Sequence, residues 1–314
     1  MGNCLVVANQ TLGGERLMGE VRRRMATEPS SFYVMVPNTR PAPSVLRAVS
    51  AGRSPLQRSD DWPRGARMGS PDPYAHNGGE VRVMIGRRAL IVRGGWEGHQ
   101  PKMATELFIP FLQANGFSIR IEESPAVYAD SEYMLTVDLI VQCNTMATIE
   151  RLQLQGLRSA IEAGTGMAGW HGGIADSYRN SSDYLHLIGG QFACHPGKHP
   201  DERTGEQSDN YVPYRINMLP QAADHPITQG IADFDLVTEQ YWVLVDSYID
   251  VLATTTQAVR EWDPWTRPVT SPAIWTRRWG QGRIFVCTPG HRVEILENVN
   301  VRTIIERGML WASR

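Results

Sequence analysis

The feature that most constrains the fold is an alternation of short apolar runs with amphipathic segments between residues 88 and 170. The first run ends in two glycines, which is typical of a buried strand followed by a loop. Runs that are apolar almost throughout indicate parallel strands covered on both faces. The four runs read RALIVRGG, FSIRIEES, VDLIVQC and TGMAGW.

Two helices are predicted between these strands. The segment PKMATELFIPFLQANG is predicted to form one helix that Gly116 ends, and IERLQLQGLRSAIEAG a second that also ends at a glycine. The order of strands and helices predicts an α/β fold around a mostly parallel sheet flanked by helices. The apolar face of the first helix would consist of Met103, Leu107, Phe108, Phe111 and Leu112.

The second half of the chain is predicted to add further strands. Three segments look extended, and PAIWTRRWGQGRIFVCTPGH is typical of a hairpin that turns at residues 280–282. The segment VNVRTIIERGMLWA is predicted to close the chain as an amphipathic helix. The three extended segments read YVPYRINML, FDLVTEQYWVLVD and IDVLATTTQ.

Composition excludes several classes of partner. The formal net charge of −2 and the lack of a basic stripe argue against nucleic acid. No apolar run is long enough to cross a bilayer, so no membrane partner is expected. Four cysteines without a C-x-x-C pair and no secretory signal predict reduced thiols in a cytoplasmic protein. A homo-oligomer is an open alternative.

Residues 1–82 differ from the rest of the chain. They are rich in Arg, Pro, Ser and Gly and show no sustained helical or strand period. Such a segment cannot bury enough apolar surface to offset its ordering entropy, so disorder is expected. Either this is an N-terminal extension or the start codon is assigned too early. Residues 83–314 are expected to form one domain.

A glycine-flanked histidine follows the fourth predicted strand. The stretch Gly169-Trp170-His171-Gly172-Gly173 has the Gly-x-nucleophile-x-Gly spacing of a strand-to-helix elbow, with histidine where serine or cysteine is expected. An elbow holds its middle residue strained and exposed above a helix N-terminus. Histidine there can act as an acid or base, or ligate a metal. A structural hydrogen bond at a tight turn is the alternative.

Three more histidines lie beside glycine or proline at predicted strand ends. In parallel sheets ligands bind at the carboxyl ends of the strands, so these side chains are expected at one edge. Four histidines there favour a functional site, whereas a single one would favour a structural role. The four are His99, His171, His195 and His291.

Two acidic residues are further candidates. Glu239 stands among apolar residues, so if it is buried it must be paired or bound. Asp176 is expected in the first turn of the helix after the elbow, where an acid suits the helix dipole. Arg179 could pair with Asp176 or bind substrate, and both alternatives stay open.

Two tryptophans, Trp96 and Trp170, flank the predicted site and could stack on a sugar ring, although aromatic residues are mainly core. No G-x-G-x-x-G follows the first strand, and no H-E-x-x-H or paired cysteines mark a standard zinc site. A mixed His/Glu metal site assembled from distant loops stays open.

Several segments together carry a family resemblance. GGWEGHQP, GMAGWHGGIADSYRNSSDYLHLIGGQFACHPG, HPITQGIADFDLVTEQYWV and RGMLWA, in this order, resemble the trehalose-utilisation (ThuA-like) family over about residues 87 to 314. The resemblance implies a flavodoxin-like fold similar to class I glutamine amidotransferases, with His171 at the cysteine position and His291 as the partner histidine. Without an elbow cysteine, glutamine hydrolysis through a thioester is not expected.

The resemblance implies carbohydrate catabolism, with a sugar or keto-sugar as the small-molecule partner. His171, His291 and Glu239 would be catalytic groups or ligands of a divalent metal, and His99 would line the pocket. Gly172 and Gly173 would donate backbone hydrogen bonds to substrate. Two alternatives remain: a sugar-binding or regulatory protein without catalysis, and a remnant hydrolase that uses Cys194 or Cys143.

Overall fold

The computed structural model describes residues 2–7, 30–35 and 86–314. The chain divides into two units, residues 1–85 and 86–314. In the first unit, β1 (Gly2–Val7) pairs in parallel with β2 (Ser30–Met35). Both strands lie in the segment for which the sequence predicts disorder. The other residues of 1–82 lie outside the described residues, so for them the prediction stays a prediction.

The second unit contains a nine-stranded sheet in the order β4-β3-β5-β6-β13-β12-β11-β8-β9. The first five strands of this order run parallel and the last four pair antiparallel. Two further strands, β7 and β10, pair with each other. The strands are β3 (Arg87–Gly95), β4 (Phe117–Glu122), β5 (Leu139–Thr145), β6 (Gly166–Trp170), β7 (Gly190–Cys194), β8 (Tyr211–Met218), β9 (Phe234–Glu239), β10 (Trp242–Val245), β11 (Asp250–Gln257), β12 (Val269–Trp279) and β13 (Gly282–Cys287).

Helices cover both faces of the parallel part. Leu90 and Val92 of β3 pack with Leu157 of the helix Arg151–Glu162 on one face, while Ala89 and Ile91 pack with helices of the other face. This two-residue alternation explains why the strands are apolar throughout. The helices are α1 (Pro101–Glu106), α2 (Ile109–Ala114), α3 (Ser131–Met134), α4 (Arg151–Glu162), α5 (Gly172–Ala175), α6 (Ser182–Ile188), α7 (Val293–Leu296) and α8 (Val299–Ala312).

The α/β fold predicted from the sequence is therefore confirmed, and the hairpin turns between Trp279 and Gly282 as expected. The single helix predicted for residues 101–116 is wrong. Pro110 cannot donate a backbone hydrogen bond to the carbonyl four residues earlier, so the segment forms α1 and α2. Met103 is consequently exposed, whereas Phe108 and Leu112 lie in the core.

The segment predicted as one strand from Phe234 onward is also divided, into β9 and β10. Gln240 and Tyr241 interrupt it, and Glu239 becomes the last residue of β9. None of the helices in the described residues has the length and apolar character that a membrane crossing requires.

Candidate active site and metal centre

Four side chains from separate segments converge at the carboxyl edge of the parallel strands. His99, His171, Glu239 and His291 each direct one nitrogen or carboxylate oxygen to a common point, and these four atoms lie within 4.8 Å of one another. All four residues are buried. We call this set the His/Glu centre.

His99 reaches the centre from a turn after β3. Gly95 has φ 77°, and a Cβ there would lie 1.8 Å from the Thr145 carbonyl oxygen, so only glycine permits this approach. The chain then forms a 3₁₀ turn over Glu97–His99. His99 Nδ1 shares a 2.9 Å hydrogen bond with Thr145 Oγ1, which leaves Nε2 facing the centre.

His171 occupies the elbow between β6 and α5. Its backbone has φ 47° and ψ −141°, the strain that the Gly-x-His-x-Gly spacing predicts, and its N–H donates to the Cys287 carbonyl at 2.7 Å. The expected exposure is wrong: His171 is 1% exposed. The rings of Tyr241 and His291 pack against it, with centroids at 4.0 and 5.2 Å, and close it off from solvent.

Glu239 and His291 complete the centre from the second half of the chain. Glu239 ends β9 and is 2% exposed, so the sequence-based expectation that a buried Glu239 must be paired agrees with the structure. Its Oε2 lies 3.0 Å from His291 Nδ1 and 3.1 Å from His171 Nε2. His99 Nε2 is farther from this oxygen, at 4.0 Å.

These contacts require a curled sheet. From β6, which leads into His171, to β9, which ends in Glu239, the strand order contains five steps. At the usual strand spacing of about 4.8 Å a flat sheet would separate them by about 24 Å. The antiparallel half therefore curls over the edge at which the parallel strands end.

Burial and charge set the protonation of the centre. Burial and the neighbouring His171 and His291 lower the pKa of His99 to about 2. Burial also lowers the pKa of His171. Burial alone would raise the pKa of Glu239, but the close contacts of its carboxylate with His171 and His291 outweigh it and hold that pKa well below its usual range. Neutral His99 and His171 thus face an ionised Glu239 carboxylate.

The hydrogen-bond partner of His171 Nδ1 creates a conflict at Nε2 that a cation would resolve. His171 Nδ1–H donates to the Thr288 carbonyl oxygen at 2.8 Å, so in a neutral ring Nε2 carries a lone pair. This lone pair faces Glu239 Oε2, and it also faces His291 Nδ1 at 3.3 Å. Two acceptors this close repel each other unless a positive charge lies between them.

The donor set fits a divalent transition metal. Ligands about 2.1 Å from one tetrahedral ion lie about 3.4 Å apart, close to the spacing of the three nearest atoms. Imidazole and carboxylate ligands suit zinc and neighbouring metals. The Nδ1–H of His171 on a backbone carbonyl is the usual support of a metal-bound histidine. His291 Nε2 is buried and has no hydrogen-bond partner among the described residues.

His195 lies at the accessible side of the centre. It follows β7, its Nε2 is 3.7 Å from Glu239 Oε1, and its side chain is 26% exposed. Burial lowers its pKa. Among the described histidines that contact Glu239, it has the most exposed side chain.

Of the remaining residues predicted from the sequence, some lie near the His/Glu centre and others lie away from it. Trp96 packs edge-on against His99 with ring centroids 4.7 Å apart and is partly exposed. Trp170 does not line the site: its ring lies in the core against Phe108, because β6 directs it away from the edge. Gly172 and Gly173 begin α5, and their donor role stays a prediction.

Asp176 is not in the first turn of a longer helix as expected. The helix α5 has four residues, so Asp176 stands at its C-terminal cap. Both its carboxylate oxygens accept hydrogen bonds from Arg179, with Nη2–Oδ2 at 2.6 Å. Asp176 is buried and Arg179 half-exposed, so the pair leaves a guanidinium edge facing solvent.

Sequence reasoning missed Thr145 and Tyr241, which support His99 and His171. Thr145 stands two residues after the apolar run VDLIVQC, where a predicted parallel strand ends, so its position was a usable signal. Three described thiols, those of Cys143, Cys194 and Cys287, have raised pKa values, which disfavours them as nucleophiles. Burial raises the pKa of Cys143 to about 12 and raises those of Cys287 and Cys194.

The fold and the centre define a class: a flavodoxin-like α/β protein with a histidine at the elbow and a buried His/Glu centre. Residues 88–312 match the ThuA family, described as trehalose utilisation. The chain belongs to this family, whose membership supports a role related to trehalose utilisation in general.

Solved structures agree on the fold. A ThuA-like protein from Bacteroides uniformis superposes with a TM-score of 0.56 at 18% identity, covering 78% of this chain and 95% of that one. A ThuA-like protein from Parabacteroides merdae gives a TM-score of 0.53 at 14% identity, covering 72% and 90%. No curated protein matches the chain.

Proposed function

We propose that this protein is a metal-dependent enzyme that acts on a sugar or keto-sugar in the utilisation of trehalose-type disaccharides. One observation carries the proposal: His171 Nε2, His291 Nδ1 and Glu239 Oε2 lie 3.0 to 3.3 Å apart, while the other ring nitrogen of His171 already pairs with the Thr288 carbonyl oxygen. Family membership supports the carbohydrate role.

His171, His291 and Glu239 would hold the metal, with His99 as a fourth ligand. When bound, such a metal polarises a carbonyl or hydroxyl oxygen of the substrate. Thr145 and the Thr288 carbonyl orient two of the rings, which keeps their ligand nitrogens directed inward. Tyr241 covers His171 and excludes water from that side.

His195 is the group placed to move a proton. Its Nε2 lies beside Glu239 Oε1, while part of its ring is open to solvent. It would accept a proton from a substrate carbon or hydroxyl at Nε2 and release it to water. Arg179, held by Asp176, and Trp96 would orient the sugar from the exposed side.

The test uses the full chain, purified and assayed for metal by mass spectrometry and for turnover of trehalose and 3-keto-disaccharides by NMR. We expect about one metal ion per chain, and loss of both metal and turnover in His171→Ala and His291→Ala. His186→Asn, a histidine outside the centre, is the matched control. A metal-free wild type, or alanine variants with unchanged turnover, would contradict the proposal.

The near-complete burial of the centre favours one second candidate, a sugar-binding protein without catalysis that uses the metal for structure. It predicts metal retention and saturable stabilisation by sugar with no turnover of any substrate.

A further inference from the structure

A cleft lined mainly by polar residues adjoins the His/Glu centre and has no part in the proposed chemistry. Its volume is about 530 Å³, and three carboxylates stand at its rim, those of Glu97, Glu206 and Glu294. We call it the glutamate-rimmed cleft.

The cleft touches the centre on two sides. The Tyr211 ring lines it and packs edge-on against the His291 ring, with centroids 5.4 Å apart. Gly98, which lines it too, directly precedes His99. A group bound in the cleft is thus separated from the centre by about one side chain.

The wall offers neutral hydrogen-bonding groups. Among the described residues, none forms a hydrogen bond with the side chains of Gln207 or Ser208, and both are half-buried in the wall. The Gln100 Oε1 atom accepts a 3.2 Å hydrogen bond from the Val293 N–H, which fixes its amide and leaves the NH₂ group available. Amides and hydroxyls of this kind pair with substrate hydroxyls.

The charge of the lining disfavours anions. Against the three carboxylates stands one guanidinium, that of Arg292, and its Nε lies 3.9 Å from Glu294 Oε1. A net excess of two negative charges would repel a phosphate bound here, whereas it would not repel an uncharged sugar ring.

We propose that the glutamate-rimmed cleft binds the non-reacting, uncharged half of a disaccharide-sized substrate and rejects phosphorylated sugars. Only the assignment of the other half of the substrate as the reacting half rests on the proposed function. The volume accommodates one hexose ring with its hydration, and the wall combines hydrogen-bonding side chains with the Tyr211 ring, a mixture that suits the polar edge and apolar face of a sugar.

The test measures binding to the full chain by calorimetry, with trehalose and trehalose 6-phosphate as probes. We expect the phosphorylated probe to bind roughly 10-fold more weakly near 0.05 M salt, with a smaller ratio at 0.5 M salt because the charges are screened. The variant Glu97→Gln/Glu206→Gln/Glu294→Gln should bring the two dissociation constants within about twofold. The control Glu132→Gln/Asp224→Asn changes exposed carboxylates outside the cleft and should keep the ratio.

Equal affinities in the wild type, a ratio unaltered by the triple variant, or no binding of the neutral probe would overturn the inference. Binding is independent of turnover, so the two proposals fail separately. A wild type without turnover that keeps the selectivity contradicts only the proposed function.

Discussion

His171 Nε2 lies 3.1 Å from Glu239 Oε2, although the strands that carry these residues are five steps apart in the sheet. The contact joins the parallel half of the domain to an antiparallel half that curls over it. The elbow residue His171 thus lies in a centre that both halves build.

Replacing Glu239 with glutamine should weaken metal binding by at least about 100-fold, since the only charged donor of the centre becomes neutral. Competition with a chelator of known affinity measures the change, and circular dichroism checks the fold. The exposed Glu261→Gln is the control. An unchanged metal affinity would remove Glu239 from the ligand set.

Thr145→Val should lower metal affinity by about 10-fold, because His99 loses the hydrogen bond that orients its ring. Thr145→Ser keeps the hydroxyl and should restore the affinity to within about threefold. If serine fails to rescue, the threonine acts through packing and not through this hydrogen bond.

Gly172→Ala should reduce both stability and metal binding. A Cβ at this position would lie 2.5 Å from His99 Cε1, so the ring or the elbow must shift. We expect the free energy of unfolding in urea to fall by about 1–3 kcal/mol. Gly86→Ala, where a Cβ meets nothing within 4 Å, should change it by less than about 0.5 kcal/mol.

Asp246→Asn should destabilise the domain by about 2 kcal/mol at pH 7, since it leaves the buried Arg277 guanidinium without its carboxylate. Burial raises the pKa of Asp246, but the Arg277 hydrogen bond outweighs it and lowers that pKa. The carboxylate therefore stabilises the fold above its unfolded pKa, and the difference between wild type and variant should shrink below about pH 4.

Urea unfolding at pH 7 and pH 3 checks the Asp246 prediction. Asp183→Asn, which breaks an exposed pair with Arg158, should cost less than about 1 kcal/mol. If Asp246→Asn and Asp183→Asn lowered the free energy of unfolding equally, burial of Arg277 would not explain the contribution of Asp246.

Thiol chemistry should be dispensable. Cys194→Ser should leave metal content and turnover unchanged, because burial raises the pKa of this thiol and the elbow carries histidine. Iodoacetamide treatment of the wild type is the companion measurement. Loss of turnover in either experiment would revive the remnant hydrolase.

The sequence predicts the parallel half of the fold well, because buried strands and glycine-ended loops leave local patterns. The glycines beside His99 and His171 predicted these two histidines as site residues, and the apolar surroundings of Glu239 predicted that residue. Trp170 was misplaced because strand alternation directs it to the core. Asp176 was misplaced because nothing local shows that α5 stops after four residues. The convergence of the centre depends on sheet curl, which no short window contains.

The same curl has a consequence for folding. The centre draws its donors from β3, β6, β9 and the segment after β13, so it is complete only when the last third of the chain has closed on the first. Contacts of such long sequence separation form late. A ligand of the centre would bind the closed state alone and add its binding energy to global stability. Occupancy of the centre would therefore report that folding of the domain is finished.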